Sequence, residues 1–321
     1  TGLVPEIFEA LDIVSRELTG MIPSATLNAS ANSAQVGQAI RVDVEPVGNV
    51  SNITPAMVVP DPTGQTSGFT DIIITKSRAA EFGFNGEDQL GLNTGAGYGS
   101  VRANKIAQAI RAVTNEVEAD LCGLQSTFSR AVGTAGTTPF GTANDYTDAS
   151  KALQVLKDNG SPLQDNQLVI NTNAGVNMLG KQANVSDAGS DSILRQGVLL
   201  DVNGMPIRES AQVNTVAAVG TTANAVTTAG HAVGSTSIVL KAGGSGTILA
   251  GDVITFAGDT NQYVVVTGVG AVSGATIVIA APGLRQALPV GDKAISIVAA
   301  SARNMAFNRS AIVLAARAPA R

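Results

Sequence analysis

Aromatic residues are scarce in this 321-residue chain: there is no tryptophan, and three tyrosines and eight phenylalanines make up 3% of the whole. Aromatic rings supply much of the contact area in small-molecule pockets, so their scarcity argues against a ligand site of that kind. The hydrophobic 44% is built mainly from Ala, Val, Ile and Leu, which suit thin sheets and close helix contacts. Cys122 is the single cysteine; it excludes an internal disulfide and fits a reducing compartment. No apolar run reaches the roughly 18 residues of a membrane-spanning helix, so no membrane association is expected. The first residues, Thr-Gly-Leu-Val-Pro-Glu, lack a basic stretch followed by an apolar one, so no signal peptide is expected. The formal net charge of -5 and the pI of about 4.9 oppose a grip on nucleic acid, which needs many phosphate-neutralising cations. Enclosing nucleic acid without holding it remains compatible with this balance.

What is present is a sharp change of composition. Between Ala211 and Ser301 there are six charged residues, namely Lys241, Asp252, Asp259, Arg285, Asp292 and Lys293. The rest is chiefly Gly, Ala, Thr, Ser and Val in short β-branched runs. Six strands are predicted, near Val213–Val219, Ser237–Lys241, Val253–Ala257, Gln262–Thr267, Thr276–Ala280 and Ala294–Val298. Gly-Asp turns at 251–252, 258–259 and 291–292 punctuate them, the pattern of a small barrel or sandwich. Helical, charged chain precedes this block, and Arg303 to Arg321 follows it. An all-β module inserted in an α+β scaffold is the simplest reading.

Upstream, Pro5 to Leu18 reads as an amphipathic helix, with Ile7, Leu11, Val14 and Leu18 on one stripe. Ser24 to Gln38 reads as an extended arm. Ile40, Val42 and Val44 alternate with Arg41, Asp43 and Glu45, a two-residue period that predicts a strand with one charged face. A partner strand is expected over Phe69 to Lys76. The turn-rich stretch between them predicts a long projecting ribbon, an element that needs packing against something else to be stable. The longest helix is expected over 100–130, with Ile106, Ile110, Val113, Val117, Leu121 and Leu124 on its apolar stripe. Its basic residues Arg102, Lys105 and Arg111 come early and its acidic Glu116, Glu118 and Asp120 come later, an order that opposes the helix dipole. Such charges either form a solvated face or meet another chain. An α/β pattern follows, with helices at Asp148–Lys157 and Ala174–Leu179, a short helix at Ser192–Gln196, and strands at Gln167–Asn171 and Val198–Val202. Ala311–Ala316 reads as a late apolar strand.

Chemistry-bearing groups do not assemble. His231 is the only histidine and has neither nucleophile nor carboxylate nearby in sequence, as a triad requires. No His or Cys pair suggests a metal site. Gly91, Gly95, Gly97 and Gly99 lack the Gly-Lys-Ser/Thr of a phosphate loop, and Glu87-Asp88 reads as a solvated turn. No enzymatic activity and no cofactor are expected.

The element order, together with the ending Ala302-Arg303-Asn304-Met305-Ala306-Phe307-Asn308-Arg309-Ser310-Ala311-Ile312-Val313-Leu314-Ala315-Ala316-Arg317-Ala318-Pro319, resembles the major capsid proteins of tailed phages, the Hong Kong ninety-seven fold. The likeness is nearest to the coat proteins of lambdoid short-tailed phages, which carry an inserted β domain. Leu3 to Leu18 and Gly86-Glu87-Asp88-Gln89 share it; Asn308 stands where that family often has His. The resemblance implies an N-terminal arm and helix (1–34), an extended hairpin or E-loop (35–76), and a peripheral domain (77–135) with a spine helix at 100–130. It further implies an axial domain (136–212), the inserted domain (213–300) and a returning strand (301–321). It also implies pentamers and hexamers in an icosahedral virion shell around DNA, assembled in the host bacterial cytoplasm with scaffolding and portal proteins and, as an optional further partner, a decoration protein. On that reading Ile7, Leu11, Arg41, Asp43, Glu45, Arg102, Lys105, Arg111, Glu116 and Glu118 are candidate assembly contacts. A nanocompartment shell, a secreted β-rich adhesin or surface-layer protein, and an enzyme are the alternatives, in falling order.

Overall fold

A computed structural model of the chain describes residues 18–28, 36–44, 68–81, 83, 86, 98–142, 145–181, 199, 201–221, 226–227 and 229–317. The expected N-terminal helix up to residue 17, the glycine cluster at 91–97 and the short helix at Ser192–Gln196 lie outside these residues. Helices and sheets occur together in an α+β arrangement, and the chain divides into two compact units.

The smaller unit spans Thr26–Ala79 and Val313–Arg321. Its β1 (Thr26–Leu27) pairs in parallel with Val313–Leu314 near the end of the chain. The expected late strand is thus shorter than Ala311–Ala316, because a 3-10 turn occupies Arg309–Ala311. The hairpin consists of β2 (Ala39–Val44) and β3 (Gly68–Ile73), antiparallel and in register from Ala39↔Ile73 to Val44↔Gly68. The strand period places Ala39, Arg41 and Asp43 on one face with Phe69, Asp71 and Ile73, and Ile40, Val42 and Val44 on the other with Thr70 and Ile72. Ile40 is buried, packed by Ile74 and Ala315.

In the larger unit, Thr1–Ala25 and Ala80–Ile312, the first described element is the 3-10 turn Ile22–Ser24, which takes Ser24 from the expected arm. Helix α1 (Tyr98–Gly123) is its longest element. Of the expected apolar stripe, Ile106 and Leu121 are buried, Ile110, Val113 and Val117 between them are half-buried, and Leu124 is exposed. The helix ends earlier than residue 130. A 3-10 turn takes over at Leu124–Thr127, where the Ser126 and Thr127 hydroxyls donate to the carbonyls of Gly123 and Leu124. The chain then straightens into β4 (Arg130–Ala131).

Helix α2 (Thr147–Asp158), strand β5 (Asn166–Ile170) and helix α3 (Thr172–Lys181) match the expected α/β pattern closely. Asn171 starts α3, its side chain accepting the Ala174 N–H at 3.1 Å. Strand β6 (Ile207–Glu209) runs parallel to β5, and a later strand from the end of the chain runs antiparallel on its other side. Strand β5 is buried at every position. The core here joins Leu168, Ile170 and Ile207 of the sheet to Ala149 of α2 and Ala174 and Met178 of α3.

The module follows β7 (Thr215–Val216). Its strands are β8 (Val226–Thr227), β9 (Ser237–Val239), β10 (Val253–Phe256), β11 (Gln262–Thr267), β12 (Thr276–Ile279) and β13 (Lys293–Ile297). They lie in the order β8-β13-β10-β11-β12-β9. The two ends of that order meet, since the Thr227 hydroxyl donates to the Val239 carbonyl at 2.7 Å. The sheet is therefore curled into a barrel, around Ile238, Ile254, Phe256, Tyr263, Ile277 and Leu284, among others. Sequence periodicity located five of its strands. It did not foresee that β4, from just after α1, would pair with β11 as a seventh strand. The first expected strand, Val213–Val219, is only β7, which pairs outside the barrel with β14 (Ser301–Ala302). Strand β15 (Met305–Asn308) is the antiparallel neighbour of β5.

Candidate functional site

Charged and nucleophilic side chains are the natural starting point. Cys122 is buried, with Sγ 3.8 Å from Ser210 Oγ. Burial pushes its thiol up to about 11, with the Ser210 hydrogen bond opposing, so the thiolate is scarce at neutral pH. His231 forms a bridge with Leu288, and its Nε2 lies 3.3 Å from Thr227 Oγ1. Among the described residues, no group of three or more His, Cys, Asp or Glu could hold a metal ion. No helix among them is long and apolar enough to cross a membrane.

The predicted contact residues scatter. Ile7, Leu11 and Glu45 lie outside the described residues, as does the side chain of Arg102. On the hairpin, Arg41 is paired with Asp71 of the adjacent strand, Nε to Oδ1 at 3.5 Å. Its guanidinium also stacks on Phe69, 3.6 Å from the ring centroid. The expected charged face exists, but Arg41 is engaged within the hairpin, while Asp43 is exposed on the same face. On α1, Lys105 donates to the Gly83 carbonyl at 3.4 Å and, with Glu81 and Gln108, lines a groove of about 620 Å³. Arg111 is exposed and Glu116 half-buried. Glu118 is the departure from expectation. It is fully buried, and its carboxylate accepts N–H groups from Gly20, Met21 and Ile22. Those oxygens are used inside the chain, because a buried carboxylate must find donors close at hand.

A second polar constellation escaped the sequence reading altogether. It joins the barrel to the scaffold. Arg130 of β4 reaches Asp158 at the end of α2 at 3.3 Å and Asn261 before β11 at 2.7 Å. Arg285 reaches the same Asp158 at 3.6 Å. Asp259 accepts the Asn261 N–H at 2.9 Å and the Tyr263 hydroxyl at 2.7 Å; that hydroxyl in turn accepts the Arg285 N–H at 3.0 Å. A third buried carboxylate, Asp252, accepts N–H groups from Val219 and Leu249, both at 2.8 Å, and from Gly220 at 2.9 Å. The useful signal was the rarity of charge in the module. Of its six charged residues, Asp252, Asp259 and Arg285 bind the module together or to the scaffold, and Lys241 and Asp292 pair at 2.9 Å on its exposed side.

No family model matches the chain, and no curated protein does. Among solved structures, the chain is similar to one from Mycobacterium phage Che8, with a TM-score of 0.47 and 13% identity over 91% of each chain. It is also similar to one from the capsid structure of the cyanophage P-SCSP1u, with a TM-score of 0.37 and 12% identity over 88% of this chain and 86% of that one. Likenesses at this level leave the function to be argued from the chain's own residues.

Proposed function

We propose that this chain is a major capsid protein that assembles with itself, as pentamers and hexamers, into an icosahedral phage head around double-stranded DNA. On this reading it has no catalytic task. Scaffolding and portal proteins guide assembly in the host cytoplasm, and the product is the virion shell. The observation that carries the reading is the hairpin. Phe69, Ile73 and Val44 are each at least half exposed, at 53%, 52% and 50%, and Ile40 is the only buried hydrophobic residue on its two strands. A two-stranded ribbon with so little core is marginal alone, so a neighbouring copy supplies its cover. Repeated modest contacts then add up around a closed shell. The acidic balance fits an inner surface that encloses DNA without gripping it.

The test is expression of the full chain followed by negative-stain microscopy and sedimentation, with and without Asp43→Lys plus Glu45→Lys. Shells or capsomer-sized rings are expected from the parent chain, and folded, unassembled subunits from the double variant. A parent chain that stays a monomer at high concentration, with and without co-expressed scaffolding protein, overturns the proposal.

A further inference from the structure

The segment from Gly20 to Ala25 lies on the scaffold as a strap, and its polar attachment is unusual. The N–H groups of Gly20 and Met21 both donate to Oε1 of Glu118 at 2.7 Å, and that of Ile22 donates to Oε2 at 3.0 Å. Pro23 has no N–H to give. Ser24 and Ala25 both donate to the carbonyl of Met21, each at 3.0 Å, within the turn itself. Every backbone donor of the strap is therefore met either by one side chain on α1 or by the strap. Among the described residues, it shares no backbone–backbone hydrogen bond with another element of the larger unit. Arg208 adds a side-chain contact, donating to Ser24 Oγ at 3.0 Å.

The fit beneath the strap is close. A methyl group at Gly20 would come within 2.8 Å of the Glu209 carbonyl and 2.9 Å of Val169 Cγ1. Met21 and Ser24 are fully buried. Glu118 is equally buried, and its two carboxylate oxygens are the point on which three backbone N–H groups converge.

We infer that Glu118 is a latch: this one buried carboxylate decides whether the strap Gly20–Ala25 is docked or released while the rest of the unit stays folded. Removing the carboxylate leaves three backbone donors without partners at once, in a segment with no ladder to fall back on. The cheapest relief is for the strap to lift into water. The device lies within a single chain and stands or falls independently of the shell reading.

Peroxide oxidation of methionine, followed by mass spectrometry of the full chain, tests it. Met21 lies in the strap, whereas Met178, Met205 and Met305 are equally buried elsewhere in the unit and report general unfolding. In Glu118→Ala, Met21 is expected to oxidise at least about tenfold faster, the factor set by losing even one hydrogen bond to a charged acceptor. The other three methionines keep their parental rates and the far-ultraviolet circular dichroism is unchanged. Glu118→Gln, which keeps one acceptor oxygen, should give an intermediate rate at Met21 and carries the test should the alanine variant fail to fold. Parental Met21 rates in both variants overturn the inference. So does a joint acceleration of all four methionines, which would make Glu118 a general core residue.

Discussion

Gly220 donates its N–H to Oδ2 of Asp252 at 2.9 Å, and the same oxygen would lie 2.6 Å from any Cβ added at Gly220. The Thr247 carbonyl crowds the same point more closely still, so backbone and carboxylate together leave no room there for a side chain. Gly220→Ala should therefore lower stability by about 1–3 kcal/mol, the range for forcing atoms into a filled site. Asp252→Ala, which strands three N–H groups, should lower it by about 3 kcal/mol or more. Denaturant unfolding of the full chain measures both. Parental stability in Gly220→Ala would show that the start of the module can shift freely.

Tyr263 is fully buried, donates to Asp259 and accepts from the Arg285 N–H. Burial is the main cause that pushes its phenol up to about 12. The folded chain thus holds this proton more tightly than the unfolded chain, so stability falls as pH rises from about 10 to about 12. In Tyr263→Phe that alkaline loss should shrink, with a baseline cost of about 1–3 kcal/mol from the orphaned partners. Ultraviolet titration of the tyrosines against melting temperature distinguishes the two effects.

His231 has its pKa lowered by burial, so the unfolded chain takes up the proton first as pH falls. Stability tied to this group is complete above the ordinary value of 6.5 and is lost progressively below it. Melting curves between neutral and mildly acidic pH should show this decline in the parent and less of it in His231→Gln. As the only imidazole, it gives an unambiguous NMR titration, and a midpoint at or above the ordinary value contradicts the expectation.

Glu209 behaves in the opposite sense. Burial raises its pKa, and its side chain lies directly over Gly175, where a Cβ would come within 3.0 Å of Cγ. The folded chain holds this proton better, so stability declines as pH climbs past the ordinary 4.5. Glu209→Gln should be more stable than the parent at neutral pH and should differ little from it in acid, as read from paired melting temperatures. Greater stability for the parent at neutral pH would mean that the ionised carboxylate has a partner worth keeping.

Periodicity made the regular elements legible. The alternation from Ile40 to Glu45 located β2 and the sidedness of its charge, and Leu168-Val169-Ile170 located β5. Helices α2 and α3 fell within one or two residues of expectation. Two things were hidden. The first is any element whose shape is set from elsewhere: Arg130–Ala131 carries no local strand signal and is extended only because β11 offers it a ladder. The second is the use made of individual charges. Glu118 reads as one of several acids on a helix surface, and only the return of Gly20 to Ile22, nearly a hundred positions earlier, makes it a buried acceptor. Arg41 was legible as exposed, but its cross-strand partner was not, because register depends on where the intervening residues 45–67 bring the chain back.

The pairing of β4 with β11 has a consequence for the order of synthesis. Arg130 and its acceptor Asn261 are 131 positions apart. A ribosome adding roughly 5–20 residues per second needs on the order of ten seconds to cover that distance. Throughout that interval the scaffold strand has been made and its ladder has not. The barrel cannot close its seventh position until the nascent chain has passed Gln262, so translation itself sequences the docking of the module onto the helix-bearing half that emerged before it.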